Sequence, residues 1–243
     1  MAVFDGYWLS LKGLRLIASK TLANSFTDSA EDYGIDRIYN MQRRFDQDKR
    51  NSDTQISIDQ AESMRLAANS GASYLSVGLN RHWPNVWRRI AERVPFKVIL
   101  LDPYSAERKA RNLINVAGEA EDSKLPLGDI IRACNKYSEL EVRFASTGMT
   151  CTVFVTEKEA YFDPYHLAPD GGRISNLFLC LRMQKMTPAS GLSNYEIISR
   201  HFDSLWSTAI PLRDWLKQKK SMLGPLPELN SLGIDLSGDR ACE

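Results

Sequence analysis

Seven residues of this chain have types and positions suited to chemistry: Thr150, Thr152, Glu157, Tyr165, His166, His82 and Asp102. The first five share one stretch, Thr150-Cys-Thr152-Val-Phe-Val-Thr-Glu157, followed after six residues by Pro164-Tyr165-His166-Leu167. Threonine and tyrosine hydroxyls donate and accept, and a neutral imidazole does both through its two nitrogens. Such a set hydrogen-bonds a polar ligand without strong attraction for phosphate. His166 or His82 with Glu157 would also serve as an acid–base pair for hydrolysis. His82 and Asp102 each follow an apolar run that reads as a strand, and α/β proteins place ligand-binding groups beyond strand carboxyl ends. Each also has a plainer reading. Asp102-Pro103 is an ordinary turn start, His82 is a loop residue beside Trp83, and His166 is a structural or surface histidine.

Other chemistry finds little support. No P-loop, GxGxxG, GxSxG or zinc-finger spacing occurs in the chain. Cys134, Cys151, Cys180 and Cys242 show no CxxC spacing, and the three histidines, His82, His166 and His201, make no HExxH-like pair. No metal site and no cofactor is therefore expected. Three of the cysteines lie in apolar runs, where the thiol packs as a small hydrophobe.

The elements that must position these residues are legible from periodicity. Trp8, Leu11, Leu14, Ala18 and Leu22 form a one-sided stripe, predicting an N-terminal amphipathic helix over Tyr7–Phe26. Its packing face suits its own domain or a dimer partner, and its basic and aromatic residues also suit a membrane surface. Residues 27–54 are polar and charge-dense and read as a loop, apart from a short strand at Ile35–Tyr39. Ser57 and Gln60 have capping-box spacing, predicting a helix from Ser57 to about Asn69 that Gly71 stops.

An alternation follows: strand Tyr74–Leu79, helix Trp83–Arg93 with Pro84 in its first turn, strand Phe96–Leu101, helix Ser105–Ala117 and helix Pro126–Tyr137. Strands are predicted at Leu140–Ala145, Cys151–Val155 and Asn176–Met183, with Glu159–Phe162 closing a hairpin on Cys151–Val155. Ser193 and Glu196 form a capping box before an amphipathic helix carrying Tyr195, Ile198, Phe202, Leu205 and Ala209. The alternation predicts an α/β fold with a mainly parallel, helix-covered sheet. Residues 1–55 are assigned to the N-terminal helix and linker, 56–220 to the α/β domain, and 221–243, with Pro225 and Pro227, to a loosely attached tail.

The stretch from Thr150 resembles the signature of the phospholipase D-like superfamily, HxKxxxxD on a strand followed six residues later by GSxN. Here the same spacing reads TxTxxxxE and then PYHL. The preceding βαβ unit and the later His201-Phe202-Asp203-Ser204-Leu205-Trp206 extend the likeness over roughly residues 56–212. Gly34-Ile35-Asp36-Arg37-Ile38-Tyr39 resembles an arginine-bearing segment that precedes such domains in bacterial single-motif members. The resemblance implies a mixed sheet flanked by helices.

The departures bear on function. The family's histidine attacks phosphorus and its lysine stabilises the phosphoryl oxygens. Thr150 has no imidazole and Thr152 no cation, while Glu157 keeps a carboxylate where the family has aspartate. A phosphohistidine mechanism is excluded at these positions. The expectation is a catalytically degenerate ligand-sensing or protein-interaction module, perceived through the resemblance as belonging to bacterial defence or regulation. The rivals are a phosphodiesterase or nuclease using His166 or His82, and a structural subunit of a larger complex. Family sites need two motif copies, and this chain carries one, so a homodimer around Thr150, Thr152 and Glu157 is expected.

Composition narrows the partners. With 43% hydrophobic and 25% charged residues, the chain is an ordinary globular one. A formal net charge of +1 argues against holding long nucleic acid through its backbone. A small polar or nucleotide-like ligand, or a protein partner, fits better; membrane contact rests on residues 7–26 alone. Lys12, Arg15 and Lys20 interrupt that most apolar run, and no signal-peptide pattern stands at the N-terminus, so a reducing cytoplasm is the expected compartment.

Overall fold

The computed structural model describes residues 30, 32–75, 82–116, 127–167, 174–176, 178–188 and 191–223. The predicted Tyr7–Phe26 helix, the loop Gly118–Lys124 and the tail beyond residue 223 lie outside the described residues. The described chain opens with strand β1 (Ile35–Asn40) and helix α1 (Arg44–Gln60). Strand β2 (Met64–Ala68), helix α2 (Ala72–Leu75) and helix α3 (Trp83–Ala91) follow, then β3 (Phe96–Leu101), α4 (Ala106–Val116) and α5 (Leu127–Lys136). The second half runs β4 (Leu140–Ala145), β5 (Cys151–Thr156), β6 (Glu159–Pro164), β7 (His166–Leu167), β8 (Ile174–Ser175) and β9 (Leu179–Gln184). Helix α6 (Asn194–Thr208), strand β10 (Ile210–Pro211) and helix α7 (Leu212–Gln218) complete it.

Eight strands form one mixed sheet in the order β1-β9-β6-β5-β2-β3-β4-β10. Its centre, β2-β3-β4, is parallel. From β5 outward through β6 and β9 to β1 every pairing is antiparallel, as is β10 on β4. Both faces of the central strands are apolar, as a helix-covered sheet requires. Leu66, Val98, Leu100, Phe144 and Phe154 face a layer holding Ile58 of α1, Val86 and Ile90 of α3, Ile130 and Ile131 of α5, and Trp215 of α7. The alternate residues Ala67, Ile99, Leu101, Ala145, Val153 and Val155 face α6 through Tyr195 and Phe202. The fold is α/β, a mixed sheet flanked by helices.

Several elements match the sequence reading closely. Strand β4 has the predicted bounds, β5 and β6 pair as the expected hairpin, and α3 starts with its proline in the first turn. The capping box at α6 is made in both directions: Ser193 Oγ accepts from Glu196 N at 3.2 Å, and Glu196 accepts from Ser193 N at 3.0 Å.

Four expectations fail, the first being the mainly parallel sheet: only the β2-β3 and β3-β4 pairings are parallel, and the other five are antiparallel. The short strand expected within 27–54 does form, as β1 paired with β9 along the sheet edge, but the remainder is not all loop, because α1 begins at Arg44. Ser57 is not a helix cap but an interior residue of α1, its hydroxyl donating to Asp53 O at 2.8 Å. The inward stripe of α1 is polar: Arg50, Asp53, Thr54, Ser57 and Ile58 are its buried residues, at helical spacing. A search for apolar periodicity passes over such a helix. The predicted helix Ser57–Asn69 therefore ends at Gln60, and its second half is β2, the central parallel strand. The strand expected at Tyr74–Leu79 is likewise not formed over Tyr74 and Leu75, which close the short helix α2; residues 76–79 lie outside the described residues.

Gly71 makes the sharp exit from β2. Its φ is +61°, and a Cβ there would stand 2.9 Å from Leu100 Cδ2 and 3.2 Å from Leu75 Cδ1. Both the left-handed conformation and the space demand glycine.

Candidate functional site

A cleft of about 380 Å³ opens beyond the carboxyl end of β2. Its lip is the turn Asn69-Ser70-Gly71-Ala72-Ser73, one wall is Thr152 and Tyr165, and the far side is Ile174 and Asn176. Arg50 and Asp163, 5% and 2% exposed, are its buried charged lining.

Helix α1 delivers Arg50 to this place and β6 delivers Asp163. Arg50 Nη2 donates to Asp163 Oδ2 at 2.5 Å, inside a region water does not reach freely. The same guanidinium donates to Tyr74 OH at 3.4 Å and lies 3.2 Å from His82 Nε2. A guanidinium has no acceptor, so His82 Nε2 must accept and the ring carries its hydrogen on Nδ1. His82 stacks on Tyr74 at 4.8 Å between centroids, and Tyr74 stacks on Phe154 at 5.1 Å. Burial pushes the Tyr74 hydroxyl up to about 12. Burial likewise pushes the neighbouring Cys180 thiol up, so it sits against the pair as a protonated group.

The wall belongs to Tyr165. Its hydroxyl accepts from Asn69 N at 3.0 Å and shares a hydrogen bond of 2.8 Å with Thr152 Oγ1. Asn176 Nδ2 approaches the same Thr152 oxygen at 3.4 Å. The Arg111 guanidinium lies over the Tyr165 ring, 4.8 Å from its centroid, and donates to Glu107 Oε1 at 2.7 Å and to Met149 O. Arg108 Nη1 donates to Asn69 Oδ1 at 2.8 Å, fixing the lip from α4. Burial holds the Tyr165 hydroxyl above its ordinary range.

Of the seven sequence-selected residues, Thr152 and Tyr165 line the cleft and His82 stands behind its floor. Thr150 is exposed one residue before β5, and its carbonyl accepts from Tyr165 N at 3.0 Å. Glu157 is five residues beyond Thr152, about 17 Å along the strand. There it accepts from the backbone of Glu62 at 3.0 Å and Ser63 at 3.2 Å, clamping the turn after β5 to the loop before β2. His166 belongs to β7, opposite Ser175, with its ring edge-on to Phe178 at 5.6 Å. Asp102 accepts from Tyr104 N at 2.9 Å in its own turn and pairs with Lys219 at 3.4 Å. His82 does not end a sheet strand, as expected from Tyr74–Leu79, but precedes α3, donating its N–H to Ser73 O at 3.0 Å.

The clamp predicts a loss of stability rather than of binding. Glu157→Ala leaves two backbone donors, one exposed and one half-buried, to water instead of the carboxylate, which costs about 0.5–1.5 kcal/mol. Urea titration checks this, with Glu157→Gln expected to lose roughly half as much as Glu157→Ala because its amide oxygen still accepts.

Sequence reasoning passed over Arg50, Asp163, Asn69, Ser73 and Asn176. For Arg50 the available signal was the spacing of polar residues 50, 53, 54 and 57, a helical stripe without apolar content. Asp163 sits one residue ahead of the Pro164-Tyr165 pair that drew attention to this region.

No helix among the described residues is long and apolar enough to cross a membrane. No protein-family model matches the chain, and no curated protein matches it in sequence. Solved structures do resemble it. The archaeal chromatin protein TrmBL2 is similar at a TM-score of 0.42 and 14% identity, over 84% of this chain and 67% of that one. A phospholipase D family member, Nuc from Salmonella typhimurium, is similar at a TM-score of 0.40 and 11% identity, over 66% of this chain and 88% of that one.

Proposed function

We propose that the chain is a phospholipase D-like module that binds a small polar ligand and reports its presence, without hydrolysing phosphodiesters. One observation carries the reading: the guanidinium in the cleft floor is spent on a buried carboxylate 2.5 Å away. A phosphoryl group entering the cleft would meet a pair of zero net charge, with the carboxylate oxygens repelling it. Thr152, where the resembled signature has lysine, presents a hydroxyl already bonded to Tyr165. The attacking imidazole of that signature has no counterpart either, since Thr150 lies exposed outside the cleft lining.

The relocated-hydrolase alternative has less to rest on. His82 receives a hydrogen bond from Arg50 and lies fully buried, and His166 faces Phe178 rather than the cleft. A role in bacterial regulation or defence follows from the resemblance alone and belongs to the same proposal. The purified chain is expected to leave bis-p-nitrophenyl phosphate intact over hours, read by release of nitrophenolate. Turnover that His166→Ala abolishes and Thr150→Ala spares would replace the sensor reading with the hydrolase one.

A further inference from the structure

The two faces of the sheet are covered unequally. One meets α1, α3, α5 and α7; the other, among the described residues, meets helix α6. Eight strands at about 4.8 Å spacing make a sheet about 34 Å wide, and one helix about 10–12 Å across leaves part of it open. The open part lies at the β1 edge. Ile38 of β1 is opposite Leu181 of β9, and Leu181 is opposite Phe162 of β6, so the three side chains form one row on the α6 side. Leu181 and Phe162 are half-buried against the α6 layer, and Ile38, at the end of the row, is 49% exposed. Ile35, opposite Met183, extends this floor toward the start of β1. The near flank of α6 supplies a wall. Asn194 donates to Tyr33 O from its backbone N and from Nδ2, each at 3.0 Å, which turns that flank toward β1. Ile197, one turn further along the same flank, is 50% exposed. Strands and helix thus bound a groove that is apolar on its floor and on its wall.

We infer that this groove is the seat of residues 7–26 of the same chain, whose apolar stripe covers the Ile38–Leu181–Phe162 row beside α6. That segment lies outside the described residues, and three observations point to it. Its sequence carries a stripe of the required kind, Trp8, Leu11, Leu14, Ala18 and Leu22, with Lys12 and Lys20 falling off the stripe toward water. The chain leaves the segment at the foot of the groove, because Tyr33, held by Asn194, leads directly into β1. Its length also fits: 20 helical residues span about 30 Å, against about 20 Å for the six residues of β1. A second copy of the chain would have to compete with a segment tethered at the groove's foot, at an effective concentration of about millimolar. The stripe and the groove each leave large apolar side chains in water when apart, and joining them removes both exposures at once. The docking is independent of what the cleft beyond β2 binds.

Photocrosslinking of the full chain tests it. The photoreactive residue p-benzoylphenylalanine replaces Ile38, and peptides captured on irradiation are mapped by mass spectrometry. A second protein carries the probe at Ile56, an equally exposed position on α1 in the opposite layer. The expected result is capture of a peptide within residues 7–26 from Ile38, in a product of monomer mass, and no such capture from Ile56. With Leu11→Asp and Leu14→Asp together the capture from Ile38 should fall about tenfold or more, since two apolar anchors are lost. A probe at Ile197 carries the same test should the Ile38 protein fail to fold. Capture in a product of twice the monomer mass would give the groove to a second copy and overturn the inference. Equal capture of residues 7–26 from Ile38 and Ile56 would overturn it too, because the segment would then have no preferred seat. If Ile38 and Ile197 capture nothing, the docking is likewise overturned, and flotation with phosphatidylserine vesicles then shows whether lipid takes the stripe.

Discussion

Arg50→Ala is expected to cost about 3–5 kcal/mol of folding stability, because it leaves the Asp163 carboxylate buried without its counter-charge. The cost has two parts. The salt bridge itself contributes modestly, since removing both charges from water opposes their attraction. Breaking it from one side is worse, as Asp163 remains 2% exposed and, among the described residues, pairs with no cation but Arg50. Two more groups lose their donor, Tyr74 OH and His82 Nε2, and the stack of Tyr74 on Phe154 loosens. The double variant Arg50→Met with Asp163→Leu removes the charges together and is expected to recover most of the loss. Urea denaturation of the three proteins measures both effects. A loss below about 1 kcal/mol in the single variant would mean that water reaches Asp163 freely, and the polar floor of the cleft would have to be redrawn.

Trp215→Ala is expected to cost a similar amount, about 3–5 kcal/mol, through cavity formation instead of charge. Trp215 is fully buried and stacks on Phe144 of β4 at 4.1 Å between centroids and on Tyr104 at 6.0 Å. It holds α7 against the sheet edge where β10, only two residues long, offers little pairing of its own. For a domain of this size the melting temperature should fall by about 6–20 °C, read by circular dichroism. Trp215→Phe keeps the stack on Phe144 and should lose less than half as much. Equal losses in the two variants would locate the stabilisation elsewhere than in ring volume.

These two residues illustrate what the sequence discloses. The apolar layers are readable where they follow a simple period: Phe96–Leu101, Leu140–Ala145 and the Tyr195–Phe202 stripe are all where alternation or helical spacing puts them. The α/β class follows from their order. What periodicity misses is burial of polar residues. Helix α1 packs with Arg50, Asp53, Thr54 and Ser57 inward; Thr54 bonds back to Arg50 O within the helix, and the other three meet partners far away in sequence. Tyr39, Asp163 and Tyr161 supply those partners, and no local rule connects them to α1. Strand β2 was hidden for the complementary reason, since Met-Arg-Leu-Ala-Ala is made of strong helix formers and becomes a strand only between β3 and β5. The site inherits both gaps. Thr152 and Tyr165 were visible through their spacing, whereas Arg50 came from a helix that hydrophobicity does not show. Asp163 alternates along β6 with outward residues and carries no signal until its partner is known. Glu157 sat in the expected pattern, and its partners on the Glu62–Ser63 backbone make it a fastening of the fold.

The pairing of β1 with β9 also sets a schedule for synthesis. Asp36 of β1 bonds to Arg182 of β9, 146 residues later. At about 5–20 residues per second, a ribosome needs about 7–30 s to make the second partner after the first. Throughout that interval β1 has no strand to join, and late in it β6, once paired with β5, presents the edge that β9 will occupy. Chains released before residue 179 would carry this open edge permanently. Nascent or truncated forms should therefore be the aggregation-prone ones, and chaperone dependence should fall once β9 has emerged.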